Sequence, residues 1–313
     1  MDVILHLGAH RTATTTFQSY MRERARDLAA EGVGFWGPRR VRNTLSPGLF
    51  RTVFAEKGRN VARRAEGRIR LATHKAAKRY LHTLIVSDEN LLDTPIRCFR
   101  HGKLYPGAGE RTARLNAAFE GNLRRIVLVI RSQELWWAST AAMIVARGHA
   151  VPPRTKFDEV TKTARTWRDV IMDMACAAPD AEISVLPFEA TMGQPHCVLG
   201  AALQQEMPRD SAARWLNRSA DLHNLRGVVQ EHGADPSVLP DDRGRWQPFT
   251  AAQAAKLRED YADDMHWLIS GADGLATLTD DVRPFRAGKT PPVDARIKGH
   301  SDDQGHMAQH SSG

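Results

Sequence analysis

Cysteine is scarce in this chain: there are three, Cys98, Cys176 and Cys197. No two of them are closely spaced, which argues against a disulfide-stapled scaffold and points to reduced thiols in a cytoplasmic protein. Long apolar runs are missing too. No window approaches the roughly 18 apolar residues of a membrane-spanning helix, so no membrane partner is expected. The N-terminus, Met1-Asp2-Val3-Ile4-Leu5-His6, has no basic stretch followed by an extended apolar run, so no secretory signal is expected. Neither Cys98 with His101 nor His196 with Cys197 has the spacing of a zinc module, and no metal site is expected. Internal repeats, heptad arrays and aromatic ribonucleoprotein motifs are absent. With 42% hydrophobic and 26% charged residues, neither a collagenous nor a wholly disordered chain fits. What remains is a globular chain of 313 residues, long enough to bury a sizeable core.

The net charge of +8 is unevenly placed. Between Trp36 and His82, 13 Lys or Arg stand against only Glu56 and Glu66, so this one segment carries +11 while the remainder is slightly acidic. Such a segment is either a solvated helical face or the seat of an acidic ligand. No nucleic-acid-binding motif accompanies it, so nucleic acid is not the expected partner.

Four short, branched apolar runs read as buried strands: Val3 to Leu7, Leu84 to Val86, Ile126 to Ile130 and Ile183 to Leu186. Helical periodicity lies between them. Phe17, Tyr20, Met21, Ala25 and Leu28 form one stripe, and further helices are expected over Arg111–Leu123, Lys156–Ala175, Pro195–Gln205 and Ala251–Ile269. Alternating strands and helices imply an α/β fold around a parallel sheet. The basic stretch Arg39–His82 reads as a helical insertion between the first and second of these strands. Residues 1–286 are expected to form one α/β domain. Residues 287–313, which contain no aromatic side chain, are expected to form a disordered C-terminal tail.

The most specific local signal follows the first strand: Leu7-Gly8-Ala9-His10-Arg11-Thr12-Ala13-Thr14-Thr15-Thr16. A strand, a short loop and a helix start aim backbone N–H groups and a helix dipole at one point, which suits a phosphate. Arg11 adds fixed charge, and Thr14, Thr15 and Thr16 add hydroxyls. A threonine-rich helix cap is the plain alternative. The segment is not a Walker A loop, because Ala13-Thr14 stands where Gly-Lys would be needed.

This loop resembles the 5′-phosphosulfate-binding loop of sulfotransferases that use 3′-phosphoadenosine 5′-phosphosulfate (PAPS). Arg11-Thr12-Ala13-Thr14-Thr15 occupies the place of that family's Lys-Ser/Thr-Gly-Thr-Thr core. Arg11 keeps the lysine's charge but changes length and donor geometry. Ala13 replaces a glycine, at a strain of about 1–2 kcal/mol if φ is positive there. A second match follows the third expected strand: Arg131 at its end and Ser139 eight residues on resemble the pair that binds the nucleotide's 3′-phosphate. Trp136 and Trp137 read as core or adenosine-adjacent packing. Glu189 in Leu186-Pro187-Phe188-Glu189 reads as a capping or structural residue. Leu216-Asn217-Arg218-Ser219 is similar to a polar segment of bacterial and glycan-directed members, with Arg218 either exposed or reaching the nucleotide.

The resemblance spans Val3 to Ile269. It implies a P-loop-type three-layer α/β/α fold and transfer of a sulfonyl group from PAPS to an acceptor hydroxyl, leaving 3′-phosphoadenosine 5′-phosphate (PAP), without a metal. The nucleotide site it implies comprises Gly8, Ala9, His10, Arg11, Thr12, Ala13, Thr14, Thr15, Arg131, Ser139 and Arg218. The catalytic groups are Arg11 on the leaving phosphate, Glu89 as base and His10 as runner-up. Glu89, in Ser87-Asp88-Glu89-Asn90, resembles the glutamate segment of glycan-directed members, which favours a carbohydrate acceptor, neutral or acidic. The alternative is that Asp88 or Glu89 caps the next helix. For His10 three roles stay open: base, contact to sulfonate oxygens, or shaping of the loop. Arg39, Arg40, Arg42, Arg63, Arg64, Arg68 and Arg70 would draw an anionic acceptor or simply favour anionic PAPS. Two other readings stay open: a non-catalytic nucleotide-binding relative, and a P-loop kinase, which the missing Gly-Lys-Ser/Thr disfavours.

Overall fold

The computed structural model describes residues 1–50, 56–209, 216 and 219–279. Arg218 and the 287–313 segment lie outside the described residues. Six strands form one wholly parallel sheet: β1 Asp2–His6, β2 Val33–Trp36, β3 Thr83–Ser87, β4 Leu123–Ile130, β5 Glu182–Pro187 and β6 Thr277–Leu278. Their order is β2-β3-β1-β4-β5-β6. The four strands expected from apolar runs are β1, β3, β4 and β5. The two additional strands form the sheet edges. β6 has two residues, too few to show a pattern. β2 carries Gly34, against which the Leu81 methyl packs; a Cβ there would stand 2.8 Å from it. Because β2 intervenes, the basic segment runs between β2 and β3 rather than between the chain's first two strands, and it is helical over Glu56–Ala77.

Each central strand sends alternate side chains to opposite faces, and both faces are buried. Val3, Leu5, Leu84, Val86, Ile126 and Leu128 belong to one core, and Ile4, Ile85, Val127 and Val129 to the other. This is why the strands read as unbroken apolar runs rather than as alternations. Helix Thr14–Glu23, which follows β1, covers the second face through Phe17, Tyr20 and Met21. Helices Ala108–Ala118 and Gln133–Ala146, following β3 and β4, cover the first through Leu115, Trp137 and Ala141. Chain leaving β1 and chain leaving its two neighbours therefore diverge to opposite faces. A crevice opens at the carboxyl ends of these three strands, where open α/β sheets seat ligands.

The helix expected over Lys156–Ala175 is two, Arg154–Lys162 and Trp167–Ala177. The break is a capping device. Asp169 accepts a bond from the Thr166 N–H at 2.7 Å, while the buried Asp264 carboxylate accepts from Thr166 Oγ1, Trp167 N and Arg168 N. Helix Ala251–Ile269, which carries Asp264, has the extent expected. Among the described residues no helix is long and apolar enough to cross a membrane.

Candidate functional site

The loop after β1 continues the sheet for two residues before it turns: Leu7 N donates to Val127 O (3.1 Å) and Ala9 N to Val129 O (2.8 Å). Gly8 has φ +91°, and a Cβ there would lie 2.8 Å from Glu89 Cβ, so glycine both permits the turn and admits Glu89. Arg11 and Ala13 are left-handed, at φ 64° and 60°. Thr12 Oγ1 and Thr14 Oγ1 both donate to the Ala9 carbonyl (2.7 and 3.0 Å), so these two hydroxyls hold the loop's shape. Thr16 Oγ1 accepts from Leu216 N. The turn delivers the N-terminus of helix Thr14–Glu23, the positive end of its dipole, into the crevice.

Among the described residues, four guanidinium groups line this cleft: Arg11, Arg131, Arg147 and Arg245. Arg11 Nε donates to Ser139 Oγ (2.9 Å) and its Nη2 to Ser219 Oγ (2.9 Å), and the two hydroxyls are 2.6 Å apart. Arg131 Nη1 donates to the Arg11 carbonyl at 3.1 Å and its guanidinium lies over the Phe188 ring. Burial, then the charges of Arg131, Arg147 and Arg245, push the Arg11 pKa down to about 10. Burial, and then Arg245, likewise lower that of Arg131 against the opposing pull of Glu189. Arg131 Nε is buried without a hydrogen-bond partner. Desolvated guanidinium groups that repel one another, one with an unpaired donor, are a costly arrangement that an anion would relieve.

On the β3 side the cleft is bounded by Glu89. Asp88 caps the turn Glu89–Leu91 by accepting from Asn90 N at 3.0 Å, and it takes both Arg42 Nε and Arg42 Nη2 (3.0 and 2.7 Å). Glu89 is left to face the cleft, with Oε1 accepting from Arg42 Nη2 (2.9 Å) and Oε2 from Gln18 Nε2 (3.2 Å). Burial alone would raise the Glu89 pKa, but a backbone N–H and the charge and hydrogen bond of Arg42 oppose it, and the carboxylate is held below its ordinary range. It is ionised at neutral pH.

His10 stands opposite with both ring nitrogens engaged. Nδ1 meets the Tyr105 hydroxyl at 2.9 Å, and the His10 N–H donates to that same hydroxyl at 2.8 Å. The Asn90 amide, with its oxygen on the Arg42 guanidinium, donates to Nε2 at 3.0 Å. Burial lowers the His10 pKa to about 4, so the ring is neutral. His6, behind it, is buried on Ser87 Oγ (2.8 Å) and is also held at about 4 by burial.

Gly8 to Thr15, Glu89, Arg131 and Ser139 thus come together from three strand ends. Trp136 and Trp137 are fully buried core, packed edge-to-face on each other and joined to Tyr105 and Trp167. Glu189 bridges Ser132 N and the Tyr261 hydroxyl. Of the basic segment's arginines, Arg42 reaches the site, Arg68 holds the Thr44 and Pro47 carbonyls, and Arg40 lies over the Trp36 ring. Sequence reasoning missed Gln18, Tyr105, Arg147, Ser219 and Arg245 as members of the site. Ser219 lay within a polar segment it had singled out; the others carried no local signal. Among the described residues no group of three or more His, Cys, Asp or Glu side chains is arranged to hold a metal. No family model, curated protein or solved structure matches the chain.

Proposed function

We propose that this chain is a PAPS-dependent sulfotransferase of P-loop-type fold, transferring a sulfonyl group to an acceptor hydroxyl. The observation that carries the reading is the meeting of two separately recognised segments. Arg11 from the β1 loop bonds Ser139, and Arg131 bonds the Arg11 carbonyl, although more than a hundred residues separate the segments. The desolvated guanidinium groups and the unpaired Arg131 Nε fit a ligand bearing more than one phosphate-type group.

The donor supplies a sulfonyl group on a phosphate leaving group: an acceptor O–S bond forms as the S–O bond to phosphate breaks, and the hydroxyl proton is released. In this reading Arg131, Ser139, Ser219 and Arg245 hold the 3′-phosphate. Arg11 and the loop N–H groups take up charge at the leaving oxygen. Glu89, ionised and fixed by Gln18 and Arg42, receives the acceptor's proton. His10, neutral and engaged at both nitrogens, fixes the loop against Asn90 and Tyr105 and leaves the base role to Glu89.

The test is release of PAP from PAPS in the presence of an acceptor panel, followed by mass spectrometry. Glu89→Gln should lower turnover by about 100-fold or more while leaving PAP affinity nearly intact. Unchanged turnover removes Glu89 from the base role. PAP binding with no transfer to any acceptor identifies a non-catalytic nucleotide-binding protein instead.

A further inference from the structure

Three buried polar side chains stand in a layer that is otherwise apolar. His6 closes β1 and Ser87 closes β3, and the two are register partners across the parallel pair. They fall on the sheet face of Ile4 and Ile85, two residues before each. Gln18 meets them from the second turn of helix Thr14–Glu23, which covers that face. All three are buried, and the His6 ring lies edge-on to Phe17 with centroids 4.4 Å apart. Their hydrogen bonds form one chain. Gln18 Nε2 has two protons, one for Ser87 Oγ at 3.3 Å and one for Glu89 Oε2 at 3.2 Å. Ser87 Oγ, accepting from Gln18, donates its own proton to His6 Nδ1 at 2.8 Å. That direction requires an unprotonated Nδ1, which burial supplies by lowering the His6 pKa to about 4.

Apolar side chains of similar shape would fill this layer with no polar group to satisfy, so stability alone does not call for the chain. The hydroxyls that hold the β1 loop, Thr12 and Thr14, end on a main-chain carbonyl. Among the described residues the His6, Ser87 and Gln18 side chains bond no main-chain group, and the chain ends instead on the cleft carboxylate. Ser87, held by His6, fixes the plane of the Gln18 amide. The second amide proton then fixes Glu89 Oε2, while Arg42 fixes Oε1 at 2.9 Å. The other groups facing this carboxylate are neutral His10, from the β1 loop, and Asp88, which is drawn onto Arg42.

We propose that His6, Ser87 and Gln18 are positioning residues, a buried chain from the ends of β1 and β3 that aims the Glu89 carboxylate into the cleft. Their part in turnover rests on the sulfotransferase reading; their hold on Glu89 does not. The experiment is carbon-13 NMR titration of the glutamate carboxyls in the full chain, with the Glu89 signal assigned by its loss in Glu89→Gln. PAP release from PAPS with the acceptor panel is measured beside it. Gln18→Met keeps the side chain's length and removes both donors. It should raise the Glu89 pKa by about one unit, because a hydrogen bond to the charged form is lost. Turnover should fall about tenfold while PAP affinity is unchanged. Ser87→Ala, which removes the anchor and leaves the donor, should move both quantities in the same direction by less. His6→Asn, whose amide oxygen can take the Ser87 proton where Nδ1 does, should restore turnover lost in His6→Leu. A Glu89 pKa unmoved in both Gln18→Met and Ser87→Ala, or turnover lost equally in the two His6 variants, would overturn the proposal. A raised pKa in a chain that transfers no sulfonyl group keeps the positioning role and removes the sulfotransferase reading; transfer with an unmoved pKa removes the positioning role alone.

Discussion

Lowering the pH from 7 to 5 should cost this fold roughly 4 kcal/mol, through two buried histidines. Burial, opposed by the charge of Glu89, holds His6 at about 4 and His10 at about 4, against 6.5 for the free side chain. Both folded values lie below the unfolded one. Between them the unfolded chain takes up protons that the folded chain refuses, so stability is full above pH 6.5 and is lost as pH falls toward 4. pH 5 lies about 1.5 units below the unfolded imidazole's pKa while the folded ring is still neutral, so each ring costs the fold roughly 2 kcal/mol at 1.36 kcal/mol per unit. Asp88 and Asp264, raised chiefly by burial, act in the opposite sense. Against a domain stability of about 5–15 kcal/mol the loss is large. Urea unfolding followed by tryptophan fluorescence at pH 5, 6, 7 and 8 measures it. His6→Asn, which removes one ring away from the cleft, should reduce the pH 7-to-5 difference by about half. A wild-type stability flat over this range, or an unchanged slope in His6→Asn, would refute the reasoning.

Two substitutions probe the loop. Ala13→Gly should stabilise the protein by roughly 1 kcal/mol in denaturant unfolding, because Ala13 sits at φ 60° where glycine carries no Cβ penalty; a loss of stability would show that no strain resides there. Tyr105→Phe leaves the buried His10 N–H without its acceptor and should cost about 1–3 kcal/mol in the same assay; a neutral outcome would mean that another group takes over that bond.

The four central strands and the strand–loop–helix turn after the first of them were legible because their signals are local. A strand buried on both faces is an apolar run, and a Gly8-to-Thr16 turn follows it directly. Arg131 and Ser139 were legible because one strand end and the first turns of one helix set their relation. Other features depend on packing that no local pattern encodes. β2 is held by its parallel pairing with β3, and the break at Thr166 by an Asp264 carboxylate arriving from a helix almost a hundred residues later. Arg147 and Arg245 carry no local signal, and only the fold brings them to the cleft of Arg11. Arg42 read as one member of a basic field, and its specific part is a clamp on Asp88 and Glu89. The division of labour between these two carboxylates, one capping and one facing the cleft, was left open by the sequence. It follows from Asn90 N and Arg42 converging on Asp88.

The most direct test of the central claim is calorimetric titration with PAP beside AMP, in the wild type and in Arg131→Ala. Charge-assisted bonds to a 3′-phosphate are worth about 1.5–3 kcal/mol, so the wild type should prefer PAP by roughly 10- to 150-fold and Arg131→Ala should lose most of that preference while binding AMP nearly as before. Equal affinity for the two nucleotides in the wild type, or equal loss of both in the variant, would contradict the assignment of this cleft to a 3′-phosphonucleotide.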